Sequence, residues 1–276
     1  MNKNFFENTI LTNNQTAIFY LGQVGFIFKY NNKYILIDGY LSDYVDRNCS
    51  NEIVKWVRRY PAPIKAEELD FVDYVFCTHA HYDHADPYTL DAINKVNKKA
   101  KFIVSGAISH IIESYGISKD RILGVECDRK YSLDEDISFT AIPAAHEELH
   151  KNESGYYEEV GFLFELGDTK LFHGGDGCPY DGLEEKLIGC DILILPVNGR
   201  DYYRRYVCDI IGCFDSTEAA TIAKNCNAKL LIPTHYDLYD VNSINPGEFA
   251  DKLYKINANQ AYHMFVPGER YIFANN

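Results

Sequence analysis

The run Thr78-His79-Ala80-His81-Tyr82-Asp83-His84 decides how this 276-residue chain is read. Four side chains able to bind a metal fall within six positions, directly after the apolar Tyr74-Val75-Phe76-Cys77. Residues 73–78 have the character of a strand buried inside a sheet. Side chains alternate along an extended strand end, so His79 and His81 project to one side. A turn then brings Asp83 and His84 round. Asp86-Pro87 opens a helix to about residue 96, with Leu90, Ile93 and Val96 at helical spacing. Imidazole and carboxylate donors without a thiolate suit zinc, manganese or iron rather than a soft ion. The plain alternative is a surface histidine cluster with Asp83 as a helix cap; four such side chains at one strand end weigh against it.

Working outward, residues 16–29 and 33–38 are β-rich runs on either side of Tyr30-Asn31-Asn32, which predicts a hairpin. Gly22 and Gly25 inside the first run mark a bend or a close backbone approach. Downstream, strands are expected at 101–105, 137–143, 159–165, 170–173, 191–196, 229–233 and 271–274. A short helix is expected at 109–115. A longer one, at about 216–226, has Asp215 as its N-cap and Glu218 completing a capping box. No low-complexity tract or long linker divides the chain, so residues 1–276 are expected to form one α/β domain. Its architecture is expected to be two mixed sheets, each covered outside by helices.

Three further metal-competent residues stand at strand ends. His146 follows Ile142-Pro143-Ala144-Ala145, Asp176 lies in His173-Gly174-Gly175-Asp176-Gly177, and His235 ends Leu231-Ile232-Pro233-Thr234. His150 competes with His146, which is preferred because it directly follows the apolar strand. His173 is expected to pack or to orient a ligand. His110 and His263 look ordinary, and Cys178 looks like a small core residue.

Composition bounds the function. The chain is 46% hydrophobic, enough for a sizeable core. It carries 27 basic against 40 acidic residues, a formal net charge of −13. Such a surface repels nucleic-acid phosphate and anionic membrane unless positive charge is concentrated locally. The basic clusters are only pairs, Arg58-Arg59 and Arg204-Arg205, so no nucleic-acid partner is expected. Eight cysteines form no CxxC pair. The first 15 residues lack the apolar run of a secretory signal, and no stretch is long and apolar enough for a membrane helix. These features predict reduced thiols in a cytoplasmic protein without a membrane anchor. A homo-oligomer is compatible with the sequence.

The H-x-H-x-D-H run, followed in order by His146, Asp176 and His235, resembles the signature of the metallo-β-lactamase superfamily over roughly residues 17–240. The resemblance implies a four-layer αβ/βα sandwich with two divalent ions, Mn2+ or Zn2+. His79, His81 and His146 would hold one ion, Asp83, His84 and His235 the other, and Asp176 would bridge them. It implies a metal-dependent hydrolase whose metal-bound hydroxide attacks a carbonyl or phosphorus centre, with Asp83 orienting it and passing its proton to the leaving oxygen. Residues 20–26, 37–41, 196–201 and 232–237 look like segments of the L-ascorbate-6-phosphate lactonase-related group. That likeness points to a phosphorylated sugar lactone such as L-ascorbate 6-phosphate. A phosphodiesterase or ribonuclease of the same superfamily is the alternative.

A small anionic substrate on so acidic a protein needs a local cation. Asn198-Gly199-Arg200-Asp201 follows the apolar Ile192-Leu193-Ile194-Leu195 and offers one. Arg200 has a planar fork for phosphate or carboxylate, and Asn198 a neutral hydrogen bond. Tyr202, Tyr203 and Tyr206 offer stacking faces. The plain alternative is that Arg200 pairs with Asp201 or another acid.

Overall fold

β-branched and aromatic residues come in short runs along the chain. The computed structural model, which describes residues 1–12 and 14–275, arranges these runs as two sheets. The strands are β1 Gln15–Gly22, β2 Gly25–Tyr30, β3 Lys33–Ile37, β4 Tyr74–Cys77, β5 Lys101–Ser105, β6 Ile122–Val125, β7 Lys130–Asp134, β8 Ile137–Pro143, β9 Val160–Leu166, β10 Thr169–His173, β11 Ile192–Pro196, β12 Leu230–Thr234 and β13 Arg270–Ala274. One sheet has the order β13-β1-β2-β3-β4-β5-β6 and the other β12-β11-β10-β9-β8-β7. Both mix parallel and antiparallel pairs.

The run at 16–29 is two strands, not one. Gly22 and Gln23 both adopt positive φ, 105° and 58°, and fold β1 back onto β2, so the expected hairpin is a three-stranded meander. β6 and β7 were not anticipated. Both are edge strands, and β7, Lys-Tyr-Ser-Leu-Asp, alternates between half-buried and exposed positions with charge at both ends. Edges discouraged from further pairing read this way, without an apolar run.

Four layers follow from which strand faces are apolar. Between the sheets, Phe76 meets Phe139, Phe162 and Phe164 edge-on at 4.9–5.0 Å. Ile18, Phe28, Ile37, Leu171, Ile194 and Ile232 extend the same core. The outer face of the first sheet buries Leu36, Val75 and Phe102 against Leu90 and Ile93 of the helix Pro87–Val96. The second sheet buries Leu193, Leu195 and Leu231 against Ala219, Ala220 and Ala223 of Ser216–Asn225 and against Phe249 and Leu253 of Pro246–Ile256. Central strands covered on both faces explain unbroken apolar runs such as Ile-Leu-Ile-Leu-Pro in β11. Among the described residues no helix is long and apolar enough to cross a membrane.

Strand direction positions the site. β3, β4 and β5 run parallel, and β8, β10, β11 and β12 share one direction. The loops after β4, β8, β10 and β12 therefore leave at strand C-termini, where α/β sheets open their clefts. The two sheets meet at this rim, where Val160 N–H donates to the Thr78 carbonyl at 3.0 Å.

Gly161 in β9 gives a test of the sheet packing. A Cβ there would lie 2.6 Å from Phe172 Cζ and 2.8 Å from the His173 carbonyl oxygen. Gly161→Ala is expected to cost about 1–3 kcal/mol through overpacking. Urea unfolding should show a lower midpoint with an unchanged slope; equal midpoints would mean that β10 yields without strain.

Candidate metal centre

Loops at the parallel strand ends deliver the polar side chains one at a time. After β4 the chain closes on itself, with His84 N–H and Ala85 N–H both donating to the His81 carbonyl at 3.0 and 2.8 Å. Asp86 then caps the helix Pro87–Val96 by accepting from Tyr88 N–H. The loop carrying His79, His81, Asp83 and His84 is thus pinned at both ends. His146 follows β8, Asp176 follows β10 and His235 follows β12. Gly175 explains the double glycine before Asp176. Its φ is +56°, and a Cβ there would sit 2.9 Å from Thr78, so only glycine lets this loop press on the end of β4.

All seven residues singled out as metal ligands converge. His79, His81, His146 and Asp176 form one group and Asp83, His84 and His235 another, each with donor atoms within 4.8 Å of one another. Asp176 faces both groups. Its Oδ1 lies 3.2 Å from His84 Nε2 and 2.8 Å from His235 Nε2, and its Oδ2 lies 3.9 Å from His146 Nε2. The His79 and His84 rings are 4.0 Å apart, and those of His79 and His146 5.3 Å.

Despite these short approaches, His84 Nε2, His235 Nε2 and Asp176 Oδ1 are buried without a directed hydrogen bond. Leaving a buried polar group unpaired costs about 1–3 kcal/mol. Three such atoms facing one another, all nitrogen or oxygen, fit a divalent cation.

Supporting residues aim the rings. Asp38 Oδ2 takes His84 Nδ1 at 2.9 Å and the Thr78 hydroxyl at 2.8 Å, while its Oδ1 accepts Thr78 N–H. His146 Nδ1 lies 3.2 Å from the Gly212 carbonyl. Each contact occupies Nδ1 and leaves Nε2 facing the centre. Gln23 Nε2 donates to Asp83 Oδ2 at 3.0 Å and lies 3.2 Å from His235 Nδ1. The Gln23 carbonyl also receives His235 N–H at 3.1 Å. His173, expected to pack or to orient a ligand, is buried and holds this turn, with Nε2 2.8 Å from the Val24 carbonyl. Sequence reasoning missed Asp38, Gln23 and Gly212. Two signals were present: a charge closing the apolar β3, and a lone amide between Gly22 and Gly25.

Burial and mutual repulsion with His84 and His81 push His79 well below the ordinary imidazole range. Burial also lowers His81, and takes His146 down to about 4. These three rings are neutral near pH 7. His84 differs. Burial alone would lower it, but Asp176, Asp38 and Asp83 outweigh that and raise it well above the ordinary value. For Asp176, burial favours protonation, yet His235 and His84 override it and hold the carboxyl well below its usual range. Asp83 is lowered in the same way, with His84 the principal opponent of burial.

The centre opens into a cavity of about 390 Å³, with His81, Asp83, His146 and Asp176 at its base and Val45, Trp56, Ile210, Ile211 and Tyr239 among its walls. Asn198 and Arg200 do not line it. Arg200 forms a two-pronged pair with Glu218 at 2.9 and 2.5 Å and donates to the Cys213 carbonyl at 2.8 Å. The expectation that its fork receives a phosphate is not met, because Glu218 fills it. Asn198 is buried, its amide donating to Asn242 Oδ1 at 2.8 Å. Tyr202, Tyr203 and Tyr206 are exposed on the helix Tyr202–Tyr206, away from the cavity. His150 is exposed and lies 3.4 Å from Glu159.

The sequence profile of the beta-lactamase superfamily domain matches residues 33–236. A metal-dependent hydrolase from Caldivirga maquilingensis is 23% identical over 252 residues, spanning 91% of this chain and 95% of its own. Two solved structures share the fold. Igni18, a metallo hydrolase from Ignicoccus hospitalis, has a TM-score of 0.69 at 20% identity, covering 95% of this chain and 100% of its own. An isothiocyanate hydrolase from Delia radicum gut bacteria has a TM-score of 0.75 at 17% identity, covering 94% and 100%.

His84 Nε2 must give up its proton to act as a ligand, so metal loading near pH 7 is expected to release about one proton and to tighten as pH rises. Calorimetry in buffers of different ionisation enthalpy measures this; an enthalpy independent of the buffer would mean that His84 is already neutral. In the metal-free protein the sign for stability is the reverse. The His84 contribution is complete below the ordinary histidine range and is lost as pH rises through its raised value. Gln23→Ala is expected to weaken metal affinity about 10–100-fold by freeing Asp83 and His235. Competition with a chromogenic chelator reads this directly, and unchanged affinity would reduce Gln23 to a packing residue.

Proposed function

The chain belongs to the metallo-β-lactamase superfamily, and from that premise we propose that it is a metal-dependent hydrolase that opens a small lactone or ester. The observation that carries this reading is the convergence of the two His/Asp groups, with their unpaired buried donor atoms, at the base of an open cavity. His79, His81 and His146 would hold one manganese or zinc ion, Asp83, His84 and His235 the second, and Asp176 would lie between them. Bound there, the ions supply Lewis acidity and make water a competent nucleophile at neutral pH.

The chain's own residues handle the protons. Asp83 reaches the cavity and is held by Gln23 Nε2. In the metal-free protein His84 is the main influence that keeps it ionised against burial, and bound cations would take over that role once His84 has lost its proton. Its carboxylate accepts a proton from the attacking water and returns it to the leaving oxygen. The water oxygen bonds to the acyl carbon, the acyl C–O bond breaks, and the proton ends on the released alkoxide. A lactone thus becomes a hydroxy acid.

Acyl rather than phosphoryl transfer is favoured because none of the residues lining the cavity is Lys or Arg. Side-chain cations commonly add to bound metal ions in offsetting charge on the non-bridging oxygens of a phosphoryl group, and here that addition is missing from the lining. Residues 20–26 and 196–201, which resemble the lactonase-related group, support a lactone within the acyl class. The phosphate of that group's substrate is not carried over, since Arg200 is held by Glu218.

Chelation is expected to abolish hydrolysis of a lactone and ester panel, and Mn2+ or Zn2+ to restore it; full turnover by metal-free protein refutes the proposal. Asp83→Asn is expected to lower kcat about 10²–10⁴-fold. Metal content measured alongside separates two causes. Lost turnover at full metal content assigns the proton role, and lost turnover together with lost metal assigns a ligand role alone.

A further inference from the structure

The cavity walls carry a second message. Val45, Trp56, Ile210 and Ile211 present apolar surface, and Trp56 packs edge-on against Tyr239 at 5.0 Å. Trp56 and Ile211 remain half-buried, which leaves their outer faces available to a ligand. The charged lining residue apart from the metal-centre side chains is Asp209, an acid. Every arginine in the segments bordering the cavity is engaged elsewhere, beginning with Arg47, paired with Asp43 at 2.7 Å. Arg205 is paired with Glu147 at 2.8 Å and lies 3.8 Å from Asp209, Arg204 is paired with Asp201, and Arg200 with Glu218. Arg58 donates to the Ser42 and Tyr60 carbonyls and lies over the Tyr40 ring, and Arg59 pairs with Asp240.

We propose that this cavity selects an uncharged substrate with an apolar or aromatic body, seated against Trp56, Val45 and Ile210–Ile211, and rejects phosphorylated or otherwise anionic counterparts. The inference rests on the acyl-hydrolase reading and narrows it. The metal ligands meet only the reacting group at the base, while the body of the substrate meets the walls. An apolar body gains by leaving water. An anionic group on that body finds no partner and meets Asp209, so its desolvation goes uncompensated. The anionic substrate expected from the sequence depended on Arg200, and that receptor is closed.

Trp56 is the single tryptophan of the chain, so its emission reports directly on occupancy of the cavity. The metal-loaded protein is titrated with γ-phenyl-γ-butyrolactam and with the same lactam phosphorylated on the ring. The neutral lactam is expected to shift the Trp56 emission and to bind at least about tenfold more tightly, the scale of one uncompensated charge. Ile211→Arg should narrow or invert the preference, and Asp209→Asn, at an exposed position, should tighten the phosphorylated probe several-fold. Equal or tighter binding of the phosphorylated lactam, or an emission unmoved by the neutral one, overturns the inference. Turnover of the two matching lactones separates this from the parent reading. Selective lactam binding without lactone hydrolysis by metal-replete protein sinks the acyl-hydrolase reading and supports the selectivity. Hydrolysis with the phosphorylated lactone preferred does the opposite.

Discussion

The buried carboxylate of Asp176 is the contact on which the rest depends. It stands on the second sheet and meets His84 from the first, with His235 and His146 arriving from its own side. An ionised carboxylate removed from water without compensation is costly, and breaking a buried pair by removing one partner costs about 3–5 kcal/mol. Asp176 therefore requires the rim of one sheet to sit at a fixed place against the rim of the other. Gly175 pressed on Thr78, Val160 bonded to the Thr78 carbonyl and His235 bonded to the Gln23 carbonyl all serve that placement. The aromatic cluster around Phe76 sets the spacing behind it.

Much of this was legible because the fold and the ligands obey local rules. A strand buried on both faces must be apolar throughout, so β4, β11 and β12 announced themselves, while β8 showed by its alternation, and a polar residue just beyond such a run has to be at a strand end. All seven metal-competent residues were found that way or through the ordered motifs. Asp215 and Glu218 form the capping box that their spacing predicted. Elements without a strong period were missed. β6 and β7 are sheet edges, and Pro246–Ile256 has only Phe249 and Leu253 fully buried. Asp38 and Gln23, each marked only by a faint local signal, were missed for another reason. Their roles depend on which strand ends neighbour one another in space, and single-residue spacing carries no record of that.

Arg200 shows how a residue-level argument goes astray. Its position after a strand and its chemistry both suited an anion, and the alternative was a pair with Asp201 or another acid. The partner is Glu218, eighteen positions on, whose carboxylate also accepts Asp215 N–H to complete the helix cap. One carboxylate thus fastens a helix start to the segment carrying Gly212, and the Gly212 carbonyl orients His146. Arg200 is bonded to the backbone beside the residue whose carbonyl meets His146.

The molecule divides its labour between rigid and irregular parts. The converging His and Asp side chains stand just beyond the ends of packed strands, where neighbouring side chains lock their directions. The cavity walls come from the segment around Val45 to Trp56 and from Cys208 to Ile211, loops and a short helix joined by their own small cluster of Val54, Cys208 and Ile210. Loops of this kind vary without disturbing the sheets that support them. The reaction class was therefore written in motifs that a strand end enforces. The wall residues share only the place where the folded chain puts them, so no motif marks them. The same constraint explains why Trp56, in a stretch without periodicity, reaches the cavity wall unannounced, whereas the tyrosine-rich helix that drew attention in the sequence does not line it.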